Sequence, residues 1–400
     1  MLKVVSLLCG FIYLSNQAVA NNINYKLYVD ADFSNTPQSS QAISQGIKTA
    51  LVDANLRQNI SFEVEHKDHK GVARLSHLNM LEYNKTPSVL AVFTGLHSVP
   101  VLKAKHLINQ SKILTLDPWA AAGPITRPET SDNWIFRLSI DDTNAGTFIS
   151  DSSTNEGFKK PHLLLERTLW GRSNQKTMTA ALSKYNIKPQ TSWFNLNLTL
   201  PQATRILKKI KSNGHDSIFL VANTPEGVTI AKAMANLPPT QRLPIRSHWG
   251  ITGGNFTNQV PHSQRKKLDL TFIQTKFSMY QPQHKQRVKS LMTRIQQANP
   301  EIKNISDIPS QTGFIHAYDL TKLFLQAVNQ CYITGDRKND KQCIHSALEN
   351  LTAPVHGLIK TYRQPFSVYT TDSPQAHEAL RIEDYAMGYF AEDGLIRLID

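Results

Sequence analysis

Residues 88–109, SVLAVFTGLHSVPVLKAKHLIN, hold the unit from which this chain is built. Ser88–Phe93 is a short, nearly unbroken apolar run, the pattern of a strand covered on both faces. Thr94–Ser98 interrupts it with a glycine, a histidine and a serine, and Val101–Asn109 continues as a helix. A buried strand that runs through a polar loop into a helix is half of a parallel β-α-β crossover.

The same alternation extends to both sides. Upstream, Tyr25–Val29 reads as a strand, Ile43, Ile47, Ala50, Leu51 and Ala54 recur at helical spacing, Ile60–Glu65 is a second strand, and a helix lies near Val72–Glu82. Downstream, Ile113–Leu116 is a strand and Trp134–Ile140 leaves the unit in extended form. The series then restarts with helix Asn144–Ser153, strand His162–Glu166, helix Ser173–Tyr185, strand Thr191–Asn195, helix Pro201–Ser212, strand Ser217–Ala222 and helix Pro225–Leu237. Pro244–Ser247 and Leu270–Thr275 add two short strands. Long helices follow around Pro282–Ala298 and Gly313–Gln330, with another near Gln342–Leu351. Tyr362–Tyr369, Tyr385–Phe390 and Leu395–Ile399 are β-like. The fold class is α/β, with two successive parallel-sheet units.

Composition agrees with such a chain. It has 400 residues, 40% of them hydrophobic and 19% charged, with 18 Gly, 20 Pro and 3 Cys, which excludes collagen-like, low-complexity and disulfide-scaffold proteins and fits two or three domains. The long apolar run is at the start. Lys3, the run Val4–Leu14 and Ala18-Val19-Ala20 form the charged region, apolar core and A-x-A site of a secretory signal, Met1–Ala20, cleaved before Asn21. A lipoprotein anchor through Cys9 is the weaker reading, because Leu7-Leu8 stand where small residues are needed. Export removes Cys9 and leaves Cys331 and Cys343, which in an oxidising compartment most simply form one local disulfide. Such a bridge contributes about 2–3 kcal/mol.

The net charge of +13 invites a nucleic-acid reading. Its clusters include Lys159-Lys160, Lys208-Lys209-Lys211 and Arg265-Lys266-Lys267, none interleaved with aromatic residues. Lys208, Lys209 and Lys211 fall on the outer face of a helix whose inner face is Ala203, Ile206, Leu207 and Ile210, so they read as a solvated face. No nucleic-acid partner is expected. The excess charge favours acidic membrane surfaces or anionic ligands.

Several short segments occur in a recognisable order: Ser40-Gln41-Ala42-Ile43-Ser44-Gln45-Gly46, Thr94-Gly95-Leu96-His97-Ser98, Leu116-Asp117-Pro118-Trp119-Ala120-Ala121, Ile135-Phe136-Arg137-Leu138-Ser139-Ile140-Asp141-Asp142 and Trp170-Gly171-Arg172. Through them, residues 21–400 resemble the type I periplasmic solute-binding proteins of the branched-chain amino acid class. The resemblance implies a two-lobed clamshell with a ligand cleft between doubly wound sheets. Residues 21–141 and 279–354 would form the first lobe, and 142–278 and 355–400 the second, with crossings near Leu138–Asp142, Lys276–Met279 and Val355–Lys360. It further implies a periplasmic location, a monomer, a small-molecule ligand, and delivery to an ABC permease. A membrane sensor kinase is the alternative partner. No enzyme activity, cofactor or metal is implied.

The ligand-binding candidates are Ser98, Trp119, Ala120, Ala121, Trp170, Asn223 and Trp249. In the family the positions of Ser98 and Trp119–Ala121 contact the ligand's carboxylate, although Ser98 also fits a helix N-cap. Trp119 and Trp170 read as cleft walls, and Asn223 as a polar contact at a strand end. Trp249 stands where the family has an acidic residue that pairs with an α-ammonium, which weakens the expectation of an amino acid and points to a small organic carboxylate or an aromatic compound, the ligand being expected as an amino-acid-like molecule or an aromatic carboxylate. Glu166 or Asp142 can restore a cation site if either faces inward.

Two chemical alternatives are weaker. Gly95-Leu96-His97-Ser98 has a faint likeness to a hydrolase elbow, but Val99-Pro100 follow where G-x-S-x-G needs a glycine. Glu65, His66, Asp68 and His69 are metal-ligating types in one strand-end turn, where such residues are usually just solvated.

Overall fold

The structure, a computed structural model, describes residues 22–52 and 54–399; the expected export signal, Met1–Ala20, lies outside the described residues. The first unit runs β1 (Ile23–Ala31), α1 (Pro37–Val52), β2 (Ile60–Asp68), α2 (Ala73–Lys85), β3 (Val89–Thr94), α3 (Ser98–Gln110), β4 (Thr115–Asp117) and β5 (Ile135–Arg137). Its strands form a parallel sheet in the order β2-β1-β3-β4-β5. Every residue of the central strand β3 is buried, which is why it reads as a continuous apolar run.

The chain passes from β5 into α4 (Asp142–Asn155) and builds a second sheet. The order along the sequence is β6 (Pro161–Glu166), α5 (Leu169–Ser183), β7 (Gln190–Phe194), α6 (Leu200–Ser212), β8 (Ser217–Val221), α7 (Thr224–Asn236), β9 (Ile245–Ser247), the short helices α8 (Phe256–Gln259) and α9 (His262–Arg265), and β10 (Leu270–Thr275). Here β6 to β10 are parallel. In α6, Ala203, Leu207 and Ile210 are buried while Lys208 and Lys209 are exposed, as the sequence pattern requires.

After β10 come α10 (Lys285–Ala298), α11 (Gln311–Gln330) and α12 (Arg337–Leu348); α10 and α11 pack against α1, and so return to the first unit. Gly46 allows this, because a Cβ there would stand 2.4 Å from the Phe314 carbonyl oxygen of α11. A disulfide between Cys331 and Cys343, with Cα atoms 5.9 Å apart, ties the end of α11 to α12.

The third crossing differs from the expectation. Val355–Lys360 does not lead into the second sheet: β11 (Val355–His356) and β12 (Thr361–Tyr362) form a two-stranded ribbon that stays on α11. The buried Asp319 of α11 holds it by accepting the Leu358 and Ile359 amides and the Tyr362 hydroxyl. The strand expected at Tyr362–Tyr369 stops at Tyr362, shortly before Pro365, which has no amide to donate. Residues 377–379 then lie along β5, with Arg137 N–H donating to His377 O and Ala379 N–H to Arg137 O. Only β13 (Tyr385–Phe390), antiparallel to β10, and β14 (Ile396–Leu398) join the second sheet, which reads β14-β13-β10-β9-β8-β6-β7. Residues 355–380 thus pack with the first unit, and the second begins again near Tyr385.

Candidate functional site

In open parallel sheets, side chains converge beyond the carboxyl ends of the strands, where helix N-termini also point. Here those ends of both sheets face one cavity of about 380 Å³, within the ~300–1,000 Å³ of small-molecule sites. Its walls bring Ser98, Trp119, Ala121, Trp170, Asn223 and Trp249 together. Ala120 is fully buried and does not line it.

The loop carrying Trp119 is shaped by two buried charges. Asp117, at the end of β4, accepts the Trp119 and Ala120 amides at 3.1 and 2.8 Å and the Thr94 hydroxyl at 2.9 Å. Those two amides are therefore engaged by the protein's own carboxylate. Burial pushes Asp117 up to about 6. From the other side Arg137 donates to the Ala120 and Ala122 carbonyls, to Asp141, and through two bonds to Glu378, so all five of its N–H groups have acceptors. The Asp117 turn has a signal in the sequence, since Asx side chains commonly capture amides two and three residues on.

Ser98 is the first residue of α3, and its hydroxyl accepts the Ala122 amide at 3.2 Å. Trp170 lies in the first turn of α5, whose cap Thr168 accepts the Gly171 amide. The Trp170 indole N–H donates to Asp142 at 3.2 Å, and its ring stands edge-on to His248. Gly250 makes room for it, as a Cβ there would lie 2.7 Å from the Trp170 ring. Asp142 orients this tryptophan from behind and does not itself line the cavity. Trp249 meets Trp119 from the opposite wall.

Glu166 does face inward. It ends β6, is buried, and accepts from Asn223 Nδ2 at 3.3 Å. Burial, reinforced by the Glu226 carboxylate, raises it from 4.5 to about 7. Glu226, in the first turn of α7, accepts the Asn197 amide at 2.9 Å. On the facing wall Asp32 accepts the Asn35 amide and lies 3.4 Å from His97 Nε2; these partners outweigh its burial and hold it at about 2. Asp32, His97 and Glu226 escaped the sequence reading. Pro225-Glu226 at a helix start directly after a strand was the available signal for the last. The cavity thus joins three indoles to three carboxylates, with Lys70 and His97 as its basic side chains. An aromatic box with an acidic edge binds a cation with a flat or apolar body.

The residues of the metal alternative have other partners. Glu65 pairs with Lys26 and Lys67, His66 Nε2 lies 2.7 Å from the Ser44 hydroxyl, Asp68 accepts the Phe33 and Lys70 amides, and His69 Nδ1 accepts the Gly71 amide.

The sequence profile of the family described as periplasmic binding protein matches residues 31–379. No curated protein matches by sequence. Among solved structures, a possible leucine/isoleucine/valine-binding protein from Rhodopirellula baltica has a TM-score of 0.76 at 13% identity, over 96% of this chain and 98% of its own. A solute-binding protein of an ABC transporter from R. palustris, in complex with 4-hydroxybenzoate, has a TM-score of 0.74 at 14% identity, over 94% and 96%. A substrate-binding protein of an ABC transporter from Desulfitobacterium hafniense, in complex with Leu, has 0.66 at 13%, over 94% and 100%. At such identities the likeness is one of fold.

Proposed function

The chain belongs to the periplasmic binding protein family, and on that premise we propose that it captures a small amine-bearing ligand with an aromatic or apolar body, amino-acid-like in character. The observation that carries this reading is the cavity's carboxylate set, Asp32, Glu166 and Glu226, beside Trp119, Trp170 and Trp249. Glu166 sits at about 7 because burial, reinforced by the Glu226 carboxylate, outweighs the opposing influence of His97 and of its own hydrogen bonds. A ligand ammonium supplies a counter-charge, and the indole faces add cation–π attraction. A carboxylate on the same ligand has the Ser98 end of α3 to meet.

Capture works without covalent chemistry. The ligand touches both walls, so it binds the closed arrangement of the lobes better than the open one and shifts their equilibrium. The closed surface is then read by a membrane permease of the ABC class, after export directed by Met1–Ala20. A thermal-shift screen with aromatic amines and amino acids, branched-chain amino acids and benzoates tests the ligand class. Stabilisation by the aromatic amine group, weakened in Glu166→Gln, is the expected result. Stabilisation by benzoates alone overturns the ammonium assignment, and stabilisation by branched-chain amino acids alone overturns the aromatic one.

A further inference from the structure

Away from the cavity, three metal-ligating side chains converge where α12, the end of β5 and the segment after β12 meet. His345 of α12 and Glu349 are one helical turn apart, and His377 comes from the segment along β5. Their ligating atoms all lie within 4.8 Å of one another. His377 Nε2 is 3.1 Å from Glu349 Oε1, and His345 Nδ1 is 3.6 Å from Glu349 Oε2. His377 is fully buried and His345 more than nine-tenths buried.

The remaining ring nitrogens fix the protonation. His345 Nε2 lies 2.8 Å from Asn133 O, and His377 Nδ1 lies 3.1 Å from Ile135 O. A carbonyl oxygen only accepts, so each of these nitrogens carries a proton. The other nitrogen of each ring faces the Glu349 carboxylate. A single proton on His377 would satisfy the contact with Glu349 but leave His345 Nδ1, which has no hydrogen-bond partner, facing an oxygen. One cation satisfies all three groups. Histidines that donate one N–H to a main-chain carbonyl and offer the other nitrogen are also the usual form of metal ligands.

We propose that His345, Glu349 and His377 bind a divalent transition ion of the zinc class. Zinc takes imidazole nitrogen and carboxylate oxygen at ~2.0–2.2 Å in tetrahedral geometry, which sets ligand atoms roughly 3.3 Å apart; here His377 stands 3.1 Å from Oε1 and His345 3.6 Å from Oε2 of Glu349, and one ligating atom from each residue lies within 4.8 Å of the others, so the three close on an ion by small side-chain movements. Three protein ligands leave the fourth position to water. Trp134 and Phe136 flank the histidines with rings 4.2 Å from His345 and 4.0 Å from His377 and hold them in place. The ion clamps His377 to α12, and through its neighbour Glu378 it steadies the Arg137 cluster at the first crossing.

The test uses tag-free protein stripped with a chelator and titrated calorimetrically with zinc chloride, with cobalt substitution read by its visible spectrum. One ion per chain is expected, with a raised melting temperature and an intense tetrahedral cobalt spectrum. Glu349→Gln and His377→Gln are each expected to weaken zinc binding more than ~100-fold, since even outer-shell partners of such sites are worth ~10–100-fold; His215→Gln, at a distant histidine, leaves it unchanged. If a variant fails to fold, the cobalt spectrum of the unaltered chain decides. Absence of binding at millimolar zinc, an octahedral cobalt spectrum, binding in both variants as tight as in the unaltered chain, or a melting temperature that follows pH but not metal each overturns the proposal.

Discussion

Trp119 and Trp249 meet with ring centroids 5.9 Å apart and planes inclined at 57°, one from the loop after β4 and the other from the loop after β9. The contact joins the two sheets' apolar packing directly beside the cavity. Trp249→Ala is expected to lower stability in urea by ~3–5 kcal/mol, the usual cost of emptying a buried aromatic site. It should also weaken the best ligand from the screen by ~10-fold or more, about 1.4 kcal/mol. Unchanged affinity in titration calorimetry would remove Trp249 from the ligand's wall.

Glu166 makes stability depend on pH with a definite sign. Its native value is about 7 against an ordinary 4.5, because of burial and then Glu226. Between those values the native state holds a proton that the unfolded chain has lost, so stability falls as pH rises through the window. The full effect is at most about 3 kcal/mol. Urea unfolding across pH 4 to 8 should show this slope in the unaltered protein and lose it in Glu166→Gln. Parallel curves for the two would contradict the burial argument.

Gly171 holds α5 against β6 by having no side chain. A Cβ there would lie 1.9 Å from the Glu166 carbonyl oxygen, a backbone atom that cannot swing away. Gly171→Ala is expected to cost at least ~2 kcal/mol through overpacking, and to displace Glu166 and Trp170 from the cavity. Denaturation and ligand titration on the same sample check both effects.

Arg137 and Glu378 test the first crossing. Both are buried, and Arg137 Nη2 donates to Glu378 at 2.6 Å. Glu378→Ala strands that charge partly unpaired and should cost ~3–5 kcal/mol. Arg397→Ala breaks the exposed pair with Asp393 and should cost less than ~1 kcal/mol. Equal losses in a paired denaturation experiment would mean that burial of the first pair is not what matters.

The aromatic candidates were legible because each followed a strand end that apolar runs had already located. Trp170 was found this way, and its cavity-lining position depends on Gly171 and Gly250 beside it. The acidic half of the site was less visible. Asp32 and Glu226 belong to opposite sheets, and nothing near either in sequence says that they share a cavity. The loop of Trp119 and Ala120 is held by Asp117, two and three residues upstream, which takes both amides.

By itself the sequence determined the alternation of strands and helices, the doubled parallel unit, the outer lysines of α6 and the pairing of Cys331 with Cys343. All of these rest on periodicity or on neighbours a few residues apart. Only the tertiary structure decided that residues 355–380 stay with the first unit, that three carboxylates edge the cavity, and that His377 joins His345 and Glu349. Those arrangements arise when buried polar groups such as Asp319, Arg137 and the two histidines must find partners from distant parts of the chain, and such a requirement leaves no pattern in the local sequence.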